Sequence, residues 1–236
     1  MSHSDPSQLN MPEFSVEIFS DVICPWCFIG KRRLDQTLTR LNAELAAAVR
    51  LRWRPYQLYP NLPPEGVNRA ELLRQRYGDQ ADSARVPERI RAEAEEEGIE
   101  LRFDLIQTTP NTLLAHYLLE YAWFEGGAEK QHALAEHLFV GYFCQGRDVG
   151  SLEALLEMAA EVGLQVEVAR EWLAENKPLD AVREQLQRAP ELGISGVPGY
   201  YLADGFLLPG AQSSETMEHI LTRVGTRMAA RANRDN

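Results

Sequence analysis

Cys24 and Cys27, separated by Pro25 and Trp26, are the residues of this chain best suited to chemistry. Two thiols with two residues between them fall on one helical turn and can close a disulfide. They follow an apolar strand pattern over residues 14–19 and precede a long helical pattern that begins near Phe28. At such a junction the first cysteine meets the unpaired N–H groups and the positive dipole end of the helix. Both favour the thiolate, the nucleophilic form. The pair therefore reads as a redox centre. Cys24, facing solvent, forms a mixed disulfide, and Cys27, one turn deeper, resolves it. Pro25 presets the turn without needing a donor, and Trp26 offers an exposed apolar contact to substrate. A structural zinc site needs about four ligands. Only Cys144 remains, with no second pair or close Cys/His spacing, so no metal is expected. A permanent structural disulfide closing so small a loop adds little stability through chain entropy.

The elements that must position this pair follow from composition and pattern. With 236 residues and 44% apolar content the chain can build one large domain, or one with an insertion. A net charge of −11 argues against nucleic acid or an anionic membrane as partner. No apolar run reaches membrane-spanning length. Residues 1–10 lack the basic and apolar regions of a signal peptide, which points to the cytoplasm, where such a pair tends to be catalytic. Residues 1–12 read as a flexible leader.

Residues 14–19 predict a strand inside a sheet. The following helix carries Leu34, Leu38, Leu41 and Leu45 as one apolar stripe. Lys31, Arg32 and Arg33 read first as a solvated face, second as a field favouring the Cys24 thiolate. Residues 50–54 alternate basic and apolar types, a second strand with Leu51 and Trp53 on its buried face, so strand, helix and strand form a parallel βαβ unit. A proline- and tyrosine-rich loop covers 56–64. Helical periodicity then predicts helices at 69–77, 83–97, 111–125, 129–144, 151–162, 166–176 and 179–192, with Pro110 at a first helical position. Glu93 and Glu95–Glu97 read as a solvated acidic face. Two short apolar runs around Asp204-Gly205 predict a hairpin. A helix at 214–228 and a disordered polar tail close the chain.

This order gives an α/β fold, βαβ–ββα, interrupted by an inserted all-helical domain. The expected bounds are 13–64 and 191–228 for the two parts of the sheet domain and 65–190 for the insertion, with tails at 1–12 and 229–236.

A Cys-x-x-Cys at a strand-to-helix junction reads as a thioredoxin-like redox motif. Residues 21–30 (DVICPWCFIG), 111–116 (NTLLAH), 141–148 (GYFCQGRD), 193–198 (GISGVP) and 210–212 (GAQ) carry the resemblance further. The chain resembles the DsbA-like branch of the thioredoxin superfamily. More narrowly it is similar to FrnE-type dithiol oxidoreductases, relatives of the 2-hydroxychromene-2-carboxylate isomerases. The resemblance implies a thioredoxin fold with inserted helices, and a cis peptide before Pro198 facing the cysteines. It also implies that Asn111 and His116 lie near the site. There the Val197 backbone would meet an extended substrate, which can add main-chain hydrogen bonds as a strand does. Asn111 reads equally as a helix cap, and His116 reads first as a core histidine. Cys144 reads as buried and inert. Relatives place a bulkier residue where this chain has Gly199, which bears on the groove and not on the chemistry.

Two other functions compete. One is a glutathione-dependent isomerase or transferase, of the 2-hydroxychromene-2-carboxylate isomerase or kappa-class glutathione transferase type. Such relatives usually carry serine in place of Cys24 and need no second thiol. The other is a binding module that uses the helical insertion. The expected partners are thiol- or disulfide-containing proteins or small thiols. No cofactor is expected beyond the redox-active disulfide, with glutathione a candidate co-substrate.

Overall fold

The computed structural model describes residues 11–79, 81–174 and 179–235. Its main sheet has the strand order β2-β1-β5-β6. Strand β1 (Phe14–Ser20) lies inside it, and only Ser15 of the strand is exposed. It pairs in parallel with β2 (Val49–Pro55), from Phe14 opposite Val49 to Ser20 opposite Pro55. On its other side it runs antiparallel to β5 (Gly199–Leu202), which turns at Asp204-Gly205 into β6 (Leu207–Pro209). Gly205 holds φ +84°, a conformation that glycine adopts without strain. Chain order and pairing make a thioredoxin-like βαβ–ββα fold.

Helix α1 (Pro25–Arg40) begins three residues before the expected start, because proline suits a first helical position and Cys24 serves as its N-cap. The leucine stripe does not continue as one helix. Leu41 is extended, and Asn42 caps a new helix α2 (Ala43–Ala48) by accepting the Leu45 N–H at 2.9 Å. The last helix of the chain, Ser214–Asp235, packs on α1 and α2. It outruns the expected end at 228 and takes in residues expected to form a loose tail. Residues 1–10 and 236 of the expected tails lie outside the described residues.

Between β2 and β5 the chain is mainly helical. It holds α3 (Arg69–Tyr77), α4 (Glu88–Glu96), α5 (Leu113–Gln145), α6 (Leu152–Glu161), α7 (Val166–Ala174) and α8 (Leu179–Glu191); the closing helix is therefore α9. The block is not all-helical, since β3 (Val67–Asn68) and β4 (Thr108–Thr109) pair as a short ribbon. The helix expected from residue 83 starts at Glu88, after Pro87. The helices expected at 111–125 and 129–144 form one element, bent where Gly126 and Gly127 leave helical geometry. Thr112, not Thr109, is its N-cap, so Pro110 stands before the helix. The last two residues of the helix expected at 166–176 lie outside the described residues.

Helix α5 connects this block to the turn that carries Cys24 and Cys27. Phe28, just past Cys27, stacks on Phe139 of α5 with ring centres 5.4 Å apart. Gln131, fully buried, accepts the Trp53 N–H at 2.8 Å and donates to the Trp53 carbonyl at 3.1 Å. It thereby satisfies the outer edge of β2 with a side chain instead of a further strand.

Candidate active site

The turn between β1 and α1 sets the cysteines. The Cys24 N–H donates to the Asp21 carbonyl at 3.0 Å, and the Cys24 carbonyl accepts from Cys27 at 3.0 Å and Phe28 at 3.3 Å. Its sulfur makes no capping bond to the helix amides. The Cys24 Sγ–H instead points at the carbonyl oxygen of Val197, 3.7 Å away. The Val197–Pro198 peptide that follows is cis. Cys24 is only 4% exposed, so it is not the solvent-facing sulfur expected from its place in the turn. The 197–198 loop, from the far end of the sequence, meets it there through the Val197 carbonyl.

Cys27 is 1% exposed on the next turn. Burial pushes its thiol well above the ordinary range, and the hydrogen bond and charge of Cys24 add to the effect. All three cysteines are free thiols. Cys144 is half-buried, not buried as expected, and its thiol is also raised, mainly by burial.

Trp26 is half-buried, with the Arg89 guanidinium 5.3 Å over its ring. It is less open than its sequence position implies. Beside it a cleft of about 690 Å³ begins at Ile23 and Pro25 and runs past Tyr59, Arg69 and Tyr142. A second hollow of about 300 Å³ follows the 193–199 loop and Gly210. Gly199 is tightly set: a Cβ there would stand 3.2 Å from Ile194 Cγ2.

The basic run after the motif is no solvated face. Lys31 is 3% exposed and lies 2.7 Å from Asp35 and 3.0 Å from Glu136. Arg32 pairs with the same Glu136. Arg33, buried, donates to Glu97 at 2.7 Å, to Glu93 and to the Ala211 carbonyl. The acidic cluster of α4 is correspondingly split, with Glu93 and Glu97 half-buried on Arg33 and Glu95 and Glu96 exposed. These ion pairs compensate the positive field that the sequence places beside Cys24.

Asn111 and His116 gather on the loop after β2. The Asn111 amide donates to the Leu62 carbonyl at 2.7 Å and accepts from Gln57 and from the Leu113 N–H, each at 3.0 Å. His116 is buried, with Nε2 3.0 Å from the Tyr56 carbonyl oxygen and 3.7 Å from Asp21. Asp21, fully buried, accepts the Leu58 N–H at 2.7 Å. Asp21 escaped sequence reasoning as a brace of this loop, although it opens the 21–30 motif. Tyr200, buried beside the 197–198 loop, was read only as part of a strand. Gln131 carried no sequence signal, because its partners are backbone groups, those of Trp53 78 positions away and the Leu119 carbonyl 12 positions away.

A four-stranded sheet, a Cys-x-x-Cys at the head of its first helix and a cis-proline peptide against the first thiol define a thioredoxin-like protein with helices inserted between β2 and β5. The model of the DSBA-like thioredoxin domain matches residues 15–222, and the chain belongs to that family. It is 26% identical over 212 residues to the uncharacterized protein YwbO of Bacillus subtilis, a match covering 88% of this chain and 95% of that one. A probable DsbA oxidoreductase from Streptomyces coelicolor has 29% identity, TM-score 0.74 and 90% coverage of both chains. A 2-hydroxychromene-2-carboxylate isomerase shares the fold at TM-score 0.63 and 17% identity, over 94% of this chain and 98% of that one.

Proposed function

We propose that the protein is a thiol–disulfide oxidoreductase working through Cys24-Pro25-Trp26-Cys27. The observation that carries this reading is the contact of Cys24 Sγ with the Val197 carbonyl, one turn above a buried Cys27. Once deprotonated, Cys24 attacks one sulfur of a substrate disulfide; a Cys24–substrate bond forms and the other substrate sulfur leaves as thiolate. Cys27 then attacks Cys24, the internal disulfide forms, and the second substrate sulfur leaves with the proton that Cys27 gives up. A reduced thiol partner, with glutathione as a candidate, restores the dithiol. The Val197 backbone offers an extended substrate main-chain hydrogen bonds of the kind a strand makes. The reading extends to protein or small-thiol substrates and to the cytoplasm. Asn111 holds the 57–62 loop through one N–H and its carbonyl oxygen, and its second N–H is left to meet substrate.

The glutathione-dependent isomerase or transferase reading draws on the shared fold. It is disfavoured by the second thiol, which such chemistry does not use. The test is dithiol-driven reduction of a disulfide substrate. Cys24→Ser abolishes it, and Cys27→Ser accumulates mixed disulfide. Full activity in Cys24→Ser refutes the proposal.

A further inference from the structure

The Tyr200 phenol is buried, 2% exposed, and its hydroxyl has no hydrogen-bond partner among the described residues. An unpartnered buried hydroxyl costs about 1–3 kcal/mol, so its position needs a reason. Tyr200 lies on β5 two residues past Pro198, opposite Ile18 of the central strand. Its hydroxyl fills the space left by the absent side chain of Gly30. A Cβ on Gly30 would collide with that hydroxyl and stand 3.2 Å from Pro198 Cγ and 3.5 Å from Ala211 Cβ. Gly30 lies three residues after Cys27 on α1, hence on the same helix face as the buried sulfur. A glycine inside a helix is itself unfavourable by about 1 kcal/mol against alanine, and here it makes room for one hydroxyl.

We propose that the Tyr200 hydroxyl is a positioning group for disulfide exchange, donating a hydrogen bond to Cys27 Sγ as that sulfur becomes charged and attacks the mixed disulfide. The inference rests on the exchange reading above. In this step the Cys27–Cys24 bond forms and the Cys24–substrate bond breaks. The substrate sulfur takes the electron pair and the proton that Cys27 loses. Tyr200 gives up no proton. Its phenol is held well above the ordinary range, by burial first and the neighbouring Cys27 second, so it keeps its proton at neutral pH. The other charges acting on it are Arg33, Cys24 and Asp35. Arg33 is paired with Glu93 and Glu97 and Asp35 with Lys31, while His132 Nε2 lies 2.7 Å from Asp35.

The test is a rapid-quench reaction with oxidised glutathione from pH 5 to 9, with the glutathione adduct on Cys24 counted by mass spectrometry. In Tyr200→Phe the adduct persists because resolution slows about tenfold, the effect expected for losing a hydrogen bond to a charged group. The pH at half-maximal resolution also moves up. Gly30→Ala, which evicts the hydroxyl, slows resolution in the wild-type background and slows it by a smaller factor in Tyr200→Phe, where only the contacts with Pro198 and Ala211 remain. Adduct formation followed by resolution with unchanged rate and pH midpoint in Tyr200→Phe overturns this inference alone. A wild-type protein that forms no adduct overturns the exchange reading and this inference with it.

Discussion

The sulfur of Cys24 lies 3.7 Å from the carbonyl oxygen of Val197, a residue 173 positions later in the chain. That contact is a donor–acceptor pair only while the sulfur carries its proton. On the exchange proposal, ionisation of Cys24 therefore frees that carbonyl for the main chain of an extended substrate.

Cys24 and Cys27 differ in environment, and alkylation separates them. Burial and the neighbouring Cys24 keep Cys27 protonated through neutral pH. Iodoacetamide is therefore expected to modify Cys27 last of the three cysteines, at a rate that climbs only above about pH 8.5, where ordinary thiols ionise. Peptide mapping after timed quenches measures the order. Early labelling of Cys27 at neutral pH contradicts the assignment of a buried resolving thiol.

Arg33 links α1 to α4 through Glu97 and Glu93 and to the 211 region through the Ala211 carbonyl. Its removal leaves half-buried carboxylates without their cation. Arg33→Met is expected to cost about 3 kcal/mol in denaturant unfolding. Loss below about 0.5 kcal/mol, the range of an ordinary surface substitution, would show that the clamp is inert.

Asp35 bears on acid stability. Burial alone raises its carboxyl, but the hydrogen bond from His132 and the charge of Lys31 outweigh that and hold it below the usual range. A carboxyl depressed on folding contributes stability above its unfolded value of about 3.9, and that contribution fades as pH falls through the lower folded value. Unfolding free energy is expected to fall with acid below about pH 4, with a shallower slope in Asp35→Asn. Parallel slopes in the two proteins, measured by urea titration at several pH values, would remove Asp35 from the account.

Gln131 closes the β2 edge by satisfying both backbone groups of Trp53. Gln131→Leu leaves that amide and carbonyl buried without partners and is expected to cost about 2–4 kcal/mol. Thermal or denaturant unfolding checks this.

Much of the fold could be read from local pattern. The strand before Cys24, the parallel partner at 50–54 and the Asp204-Gly205 hairpin each have short-range signals, and all three appear in the sheet. Elements set by distant partners could not be read this way. Lys31 and Arg33 look like surface residues on a helix until Glu136, Glu93 and Glu97 arrive from α5 and from α4 and its C-cap. Cys24 looks solvent-facing until the Val197 carbonyl meets it. The break after Arg40 rests on Asn42 capping α2, a local cue that the leucine spacing outweighed. Tyr200 reads as one strand residue among several, and only the empty side of Gly30 marks its hydroxyl.

The central claim is that Cys24 and Cys27 interconvert between dithiol and disulfide. Equilibrating the protein across a series of reduced-to-oxidised glutathione ratios, then acid-quenching and mapping its peptides, tests it most directly. A Cys24–Cys27 disulfide is expected to grow reversibly with oxidation, to disappear in Cys24→Ser, and to leave Cys144 free. No such disulfide at any ratio, or one that pairs Cys144 instead, would contradict it.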